Sequence, residues 1–198
     1  MIPVEWAKVE LVSKGTAWVG PTMVQLYMGK LPVSLYGIGI DPGRNFGISI
    51  FNGKELLVMN GKIKAYEKAD RWRYGIEAVS IASNISNIQT GIGEVLASGK
   101  PKPIKGIGLS PKIGRAAVEG AAYKKTEGQV NLAEVRFGFA YGLHSLGYDV
   151  VIVPPSTARA QVAGKGTVTM NQFWPTLNSN AADSIGIAAY AAGVRRDG

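Results

Sequence analysis

The stretch LYGIGIDPGRNFGISIFNGKELLVMNGKI, residues 35–63, decides how the rest of the chain is read. Leu35–Asp41 is a short apolar run that ends on an acid, and Pro42-Gly43 turns the chain. Phe46–Phe51 alternates, Asn52-Gly53 is a strong two-residue hairpin signal, and Leu56–Ile63 supplies a third strand. The stretch therefore predicts three consecutive antiparallel strands, the first of which finishes on Asp41.

Outward from there, residues 1–34 carry β-favouring segments at Val9–Val12 and Thr22–Met28, separated by Gly15, Gly20 and Pro21. They predict a β-rich extension over 1–34 ahead of a main domain over 35–198. Ala69–Ser98 has Ile76, Val79, Ile81, Ile85, Ile88, Ile92 and Val95 near helical spacing, with Gly91 and Gly93 as interruptions. Gly99–Arg115 (GKPKPIKGIGLSPKIGR) is a basic loop too rich in Pro and Gly for a helix, and it reads equally as a solvated linker or a phosphate-contacting arm. Ala116–Val118 is a short buried strand capped by Glu119. Glu127–Leu146 is a helix with Leu132, Val135, Phe139, Leu143 and Leu146 on one stripe, and its Gly138 and Gly142 permit close packing against a neighbour. Val150–Val153 is a fifth strand, stopped by Pro154-Pro155. A short helix after Ser156, a turn at Gly164 and Gly166, another short helix near Thr169–Trp174 and a final helix from about Asn180 to Val194 complete the chain. This order, with a mixed five-stranded sheet flanked by helices, is the layout of the α/β ribonuclease H-like fold.

The 198 residues are 46% hydrophobic and 18% charged, which suits one globular domain with a sizeable core. No apolar run reaches the ~18 residues that a membrane-spanning helix needs. Glu5 and Glu10 argue against a secretory signal at the N-terminus. The absence of cysteine excludes disulfide scaffolds, cysteine zinc sites, iron–sulfur clusters and thiol nucleophiles. His144 is the only histidine, so a multi-histidine metal site cannot be built, and it reads as an ordinary helix-end residue. The net charge of +8 suggests a polyanionic partner, nucleic acid before an anionic membrane surface, against the plainer reading of a soluble basic protein.

Against that basic background, three acids occupy unusual places. Asp41 ends the first strand, Glu119 ends the fourth, and Asp183 lies in the first turn of the last helix within AADSIGIAAYAA. In the proposed sheet the first and fourth strands are adjacent and parallel, so Asp41 and Glu119 emerge at one edge, where the last helix can deliver Asp183. Taken singly, each acid has a plain explanation: a turn residue, a surface acid, a helix-start acid. Together they are costly without a cation, and an all-oxygen set suits Mg²⁺, with Mn²⁺ as substitute. Two such ions about 4 Å apart can activate water and stabilise the leaving oxygen of a phosphodiester.

GIGIDPGRNFGISIF (37–51), VEGAAYKK (118–125), ARAQVAGKG (158–166) and NAADSIGIAAYA (180–191) resemble, in order, the motifs of RuvC-type Holliday junction resolvases. Residues 1–34 and the basic loop at 99–115 are untypical of the bacterial enzyme, which suits a phage or otherwise divergent member. The resemblance implies a homodimer, for which the helix with Gly138 and Gly142 is a candidate contact, that grips a four-way DNA junction and nicks two opposite strands with Mg²⁺ and water. It implies a place in the cytoplasm of a bacterium or phage-infected host. It gives Asp41, Glu119 and Asp183 the catalytic and metal-binding acid roles. It puts Tyr123 at the junction and Lys124 and Lys125 at phosphates, and Arg159 near the scissile phosphate, with Lys165 a second candidate. Lys112, Arg115 and Arg44 are further basic candidates for DNA.

The family pattern has a fourth acid, or a histidine, where this chain has Asn180. An amide can ligate through its oxygen but brings no charge and cannot act as a base, so metal binding should weaken and chemistry slow. Asn180 reads as an engineered Asp→Asn change, or as a native residue of either a three-carboxylate enzyme or a junction binder that does not cut. A ribonuclease remains a competing reading. A sugar-kinase-like ATPase would need a duplicated fold that this length does not hold.

Overall fold

Period-two alternation builds the centre of one mixed sheet. The computed structural model describes residues 5–6, 9–64, 72–91, 106–120 and 128–194. Among these residues six strands lie in the sheet: β1 (Leu11–Val19), β2 (Thr22–Asp41), β3 (Asn45–Lys62), β4 (Gln89–Gly91), β5 (Arg115–Glu119) and β6 (Asp149–Val153). The helices are α1 (Trp72–Ser83), α2 (Gly128–Ser145), α3 (Pro155–Ala163) and α4 (Ser179–Ala191).

β3 doubles back on itself. Gly53 has φ +72°, the Ile63 amide donates to the Arg44 carbonyl at 2.8 Å, and a Cβ on Gly61 would press on the Phe46 ring. These contacts make the hairpin that Asn52-Gly53 predicts. β2 then flanks the hairpin on both sides. Its residues 25–30 pair with 55–60 and its residues 35–41 pair with 47–53, with a shift in register between Lys30 and Leu35. The segment 31–34 passes the hairpin tip. The second half of β2, the two arms of β3, and the parallel strands β5 and β6 form the five-stranded ribonuclease H-like core. β1 pairs antiparallel with the first half of β2, and β4 with β1, so the N-terminal strands extend the same sheet.

Each sheet face has its own cover. Ile38, Ile40, Phe46, Ile48 and Ile50 face α1 and α2, where Ala78, Ile81, Val135, Phe139 and Leu143 complete a core. Gly37, Gly39, Gly47 and Ser49 face the other way, towards α4. A Cβ on Gly39 would overlap the Ala188 amide and the Ser184 carbonyl, and one on Gly47 would overlap the Asn180 carbonyl. The helix thus rests on bare backbone. Ser49 and Ser184 join hydroxyls across this contact at 2.7 Å with no exposure to solvent, and the Ser184 hydroxyl donates to the Ala181 carbonyl. A buried hydroxyl pair that is fully bonded fixes position without the cost of an orphaned donor.

Two expectations change here. α1 stops at Ser83, well short of the helix predicted over 69–98. Asn84 turns its side chain onto the Ser80 carbonyl at 2.8 Å, a 3-10 turn follows at Ile85–Asn87, and β4 begins. Ile85 and Ile88 are buried, but a three-residue spacing suits that turn as well as a helix. The rest of the predicted helix and the first part of the basic loop lie outside the described residues. Gly138 and Gly142 do take a close neighbour, and it is α1 of the same chain: their Cβ atoms would meet the Gly75 carbonyl and the Ala82 side chain. These glycines are therefore not free to serve as a contact with a second copy.

The described part of the basic loop is tethered. Gly106 bridges to Gln89, and the Asn52 side chain donates to the Gly108 carbonyl at 3.1 Å and accepts from the Ser110 amide at 2.8 Å. It is bound to the β3 hairpin rather than solvated throughout.

Candidate active site

Parallel register places the first two acids. Ile40 pairs with Val118 across β2 and β5, so Asp41 and Glu119 are the next residues on neighbouring strands. Alternation turns both to the α4 face, since Ile38, Ile40, Ala116 and Val118 fill the opposite core. α4, seated on glycines, brings Asp183 down to meet them. One carboxylate oxygen from each of Asp41, Glu119 and Asp183 lies within 4.8 Å of the other two. Asp41 is only 8% exposed.

The charge balance of this cluster is unfavourable by itself. Burial, and then the Glu119 and Asp183 charges, push the Asp41 carboxyl well above the usual range; Arg159 and a hydrogen bond from the Asn180 side chain oppose this. Burial and the Asp183 charge raise Glu119 to about 7, against Arg159 and Arg136. Asn180 stands in the first turn of α4, where the Asn178 side chain caps the helix by accepting from the Ala181 amide at 2.8 Å. The donor set consists of hard oxygens carrying surplus negative charge, which fits a divalent cation such as Mg²⁺ or Mn²⁺.

Two arginines approach from opposite faces. Arg159 of α3 grips Asp183 with both arms: Nη2 to Oδ2 at 2.9 Å and Nε to Oδ1 at 3.3 Å. Gly186 makes this possible, because a Cβ there would press on the Ala158 carbonyl next to Arg159. Arg136 of α2 donates from Nε to the Glu119 carbonyl at 2.7 Å and faces the charges of Glu119 and Asp41. The sequence reading did not single out Arg136. Arg136 stands next to buried Val135 and before exposed Phe137, a place from which a cation most often reaches solvent, so the sequence carries no signal for it.

The other candidates divide by position. Arg44 is exposed in the turn just beyond Asp41. Lys165 is exposed in the turn after α3, where Gly166 folds back onto Ser156 near the end of β6. Lys112 lies 5.6 Å from the Tyr36 ring centroid, and Arg115 lies 3.6 Å from Asp149 and against the Tyr190 ring. Both sit where β5 begins, at the end of the strands away from the acids, so the fold does not bring them to the cluster. Tyr123, Lys124 and Lys125 lie outside the described residues. His144 is in the last turn of α2, as expected of a helix-end histidine.

No helix of the described residues is long and apolar enough to cross a membrane. No family model matches the chain, and no curated protein matches it. Among solved structures, the chain is similar to Thermus thermophilus RuvC in complex with Holliday junction substrate, with 14% identity and a TM-score of 0.47 over 77% of this chain and 89% of that one. It is likewise similar to a second Thermus thermophilus RuvC structure, with 18% identity and a TM-score of 0.47 over 77% of this chain and 90% of that one.

Proposed function

We infer that this chain is a divalent-metal-dependent endonuclease that resolves four-way DNA junctions as a homodimer. The observation that carries the reading is the meeting of Asp41, Glu119 and Asp183 from β2, β5 and α4 in a chain of net charge +8. Residues 35–198 form the nuclease domain and 1–34 its extension. The three carboxylates would hold the cation, or two of them, and Asn180 steadies Asp41 through its amide. Such ions, when bound, supply an activated water and offset charge at the leaving oxygen. Arg159 has the fork geometry to take a phosphate, and Arg44, just beyond Asp41, and Lys165, in the turn after α3, offer exposed charge. Tyr123, Lys124 and Lys125 follow Glu119 in sequence and are assigned to the junction and its phosphates by resemblance. A site of action in the cytoplasm of a bacterial or phage-infected cell belongs to the same reading.

The partner subunit has a natural seat. Trp72 and Ile76 on α1, and Phe137 and Tyr141 on α2, border the glycine seam between the two helices, and all four are exposed. Phe137, at 68% exposure, stacks on Tyr141 with ring centroids 5.9 Å apart. At ~200 Å² for a fully exposed large side chain, the four present roughly 500 Å² of apolar surface, enough for the core of an interface that buries about 800 Å² per partner.

Asn180 favours a second reading, a junction binder on the same fold that does not cut. One experiment separates the two. An end-labelled four-way junction and a linear duplex are incubated with Mg²⁺ and this chain, its Asn180→Asp variant or its Asp41→Asn variant. Paired nicks near the crossover are expected with Asn180→Asp, cutting at least tenfold slower with the unaltered chain, and junction binding without cutting from Asp41→Asn. If Asn180→Asp and the unaltered chain both bind the junction in preference to duplex and neither cuts, the chain is a binder.

A further inference from the structure

The grip of Arg159 on Asp183 does more than balance charge. The guanidinium engages both carboxylate oxygens of the acid that α4 delivers. Arg159 is the more exposed partner, at 30% against 13% for Asp183, so it covers the acid from the solvent side. A divalent cation drawn to the cluster needs an oxygen of Asp183 and must settle close to a fixed positive charge, which repels it. The same fork that fits a carboxylate fits a phosphate, and a DNA strand brings phosphates to the site.

We propose that Arg159 is a latch on Asp183 that a DNA phosphate releases, so that cation binding by the three acids is coupled to DNA binding. The inference rests on the metal-dependent nuclease reading above and adds a regulation of its site. In the free protein the arginine stands in for part of the missing positive charge, and cation affinity is low. When a strand arrives, Arg159 exchanges Asp183 for the phosphate, Asp183 is freed, and cation affinity rises. Coupling of this kind is reciprocal: the cation raises affinity for DNA by the same factor. The local structure supports the exchange, since the close approach at Gly186 fixes the backbone of α3 on α4 and leaves only the side chain to move.

The test is Mn²⁺ binding followed by electron paramagnetic resonance, with and without a four-way junction, the junction's own Mn²⁺ uptake being subtracted. The unaltered chain should bind Mn²⁺ at least tenfold more tightly with the junction than without it. Arg159→Gln should bind Mn²⁺ at least tenfold more tightly than the unaltered chain when DNA is absent, and should lose most of the gain from the junction. Arg159→Lys, which keeps the charge and loses the fork, should fall between them and guards against misfolding of the Gln variant. Unchanged or weaker Mn²⁺ binding by both variants without DNA overturns the latch. If the unaltered chain then still binds Mn²⁺ and Asp41→Asn does not, the metal-site reading survives that loss. If no Mn²⁺ binds with or without the junction, the latch and the metal-site reading fall together.

Discussion

Asp41 is held between opposed demands: its strand buries it and two acids crowd it, while Arg159 and the Asn180 amide relieve it. The pH dependence follows from the direction of these shifts. An ordinary carboxyl in the unfolded chain titrates near 4.3. Glu119 in the folded chain holds its proton up to about 7, and Asp41 is also shifted upwards. Between those values the folded state binds more protons than the unfolded one, so stability falls as pH rises from about 4.5 to 7. Urea unfolding at pH 5 and pH 8 should show the higher midpoint at pH 5, and Mg²⁺ raised to saturation should recover much of the difference at pH 8. An equal midpoint at both values without Mg²⁺ would contradict the charge crowding. The acids were legible because an acid closing an apolar run has few other reasons to be there. Arg136 was not, because a single cation beside a buried stripe looks the same whether it reaches solvent or, as here, a strand's last carbonyl.

At the scale of the element, α4 is the decisive piece. Its run of Ala, Ser and Gly marks a helix that must lie close to something, and Gly37, Gly39 and Gly47 are the complementary half of that contact. Both halves stand in the sequence, but only the fold pairs them. Gly39→Ala would force α4 off the sheet, since the methyl meets backbone rather than a yielding side-chain end. The expected cost is about 3 kcal/mol or more in urea unfolding, at the upper end of overpacking effects. Asp183 would move with the helix, so Mg²⁺ should no longer raise the variant's stability at pH 8. A folded Gly39→Ala with unaltered Mg²⁺ response would mean that α4 does not need this seat. The end of α1 was less legible because burial at Ile85 and Ile88 does not say which backbone delivers it.

For the whole molecule, the order of the five core strands could be read from residues 35–153, because each is bounded by a turn or helix signal, whereas β4 lies inside the stretch that reads as helix. The route of β2 could not: the sequence reading divides the chain between residues 34 and 35, whereas the chain crosses the hairpin tip over 31–34 and continues as the same strand. The second copy is a prediction at this scale. Phe137→Glu with Tyr141→Glu should turn a dimer into a monomer in light scattering at micromolar concentration, with the far-ultraviolet dichroism unchanged. A monomeric unaltered chain would leave the α1–α2 face without the partner assigned to it. The sheet has a further consequence in terms of chain entropy. The seam that sets Asp41 beside Glu119 joins Ile38 to Ala116, across a long excursion through α1 and β4. The β5–β6 seam joins Val118 to Ile152, less than half as far along the chain. A tie across the longer loop removes more freedom from the unfolded chain, and a covalent one would be worth on the order of 4 kcal/mol. A cation shared by Asp41 and Glu119 would therefore act as a clasp on the longest loop of the core, so that the residues proposed to cut DNA would also fasten the two halves of the sheet to each other.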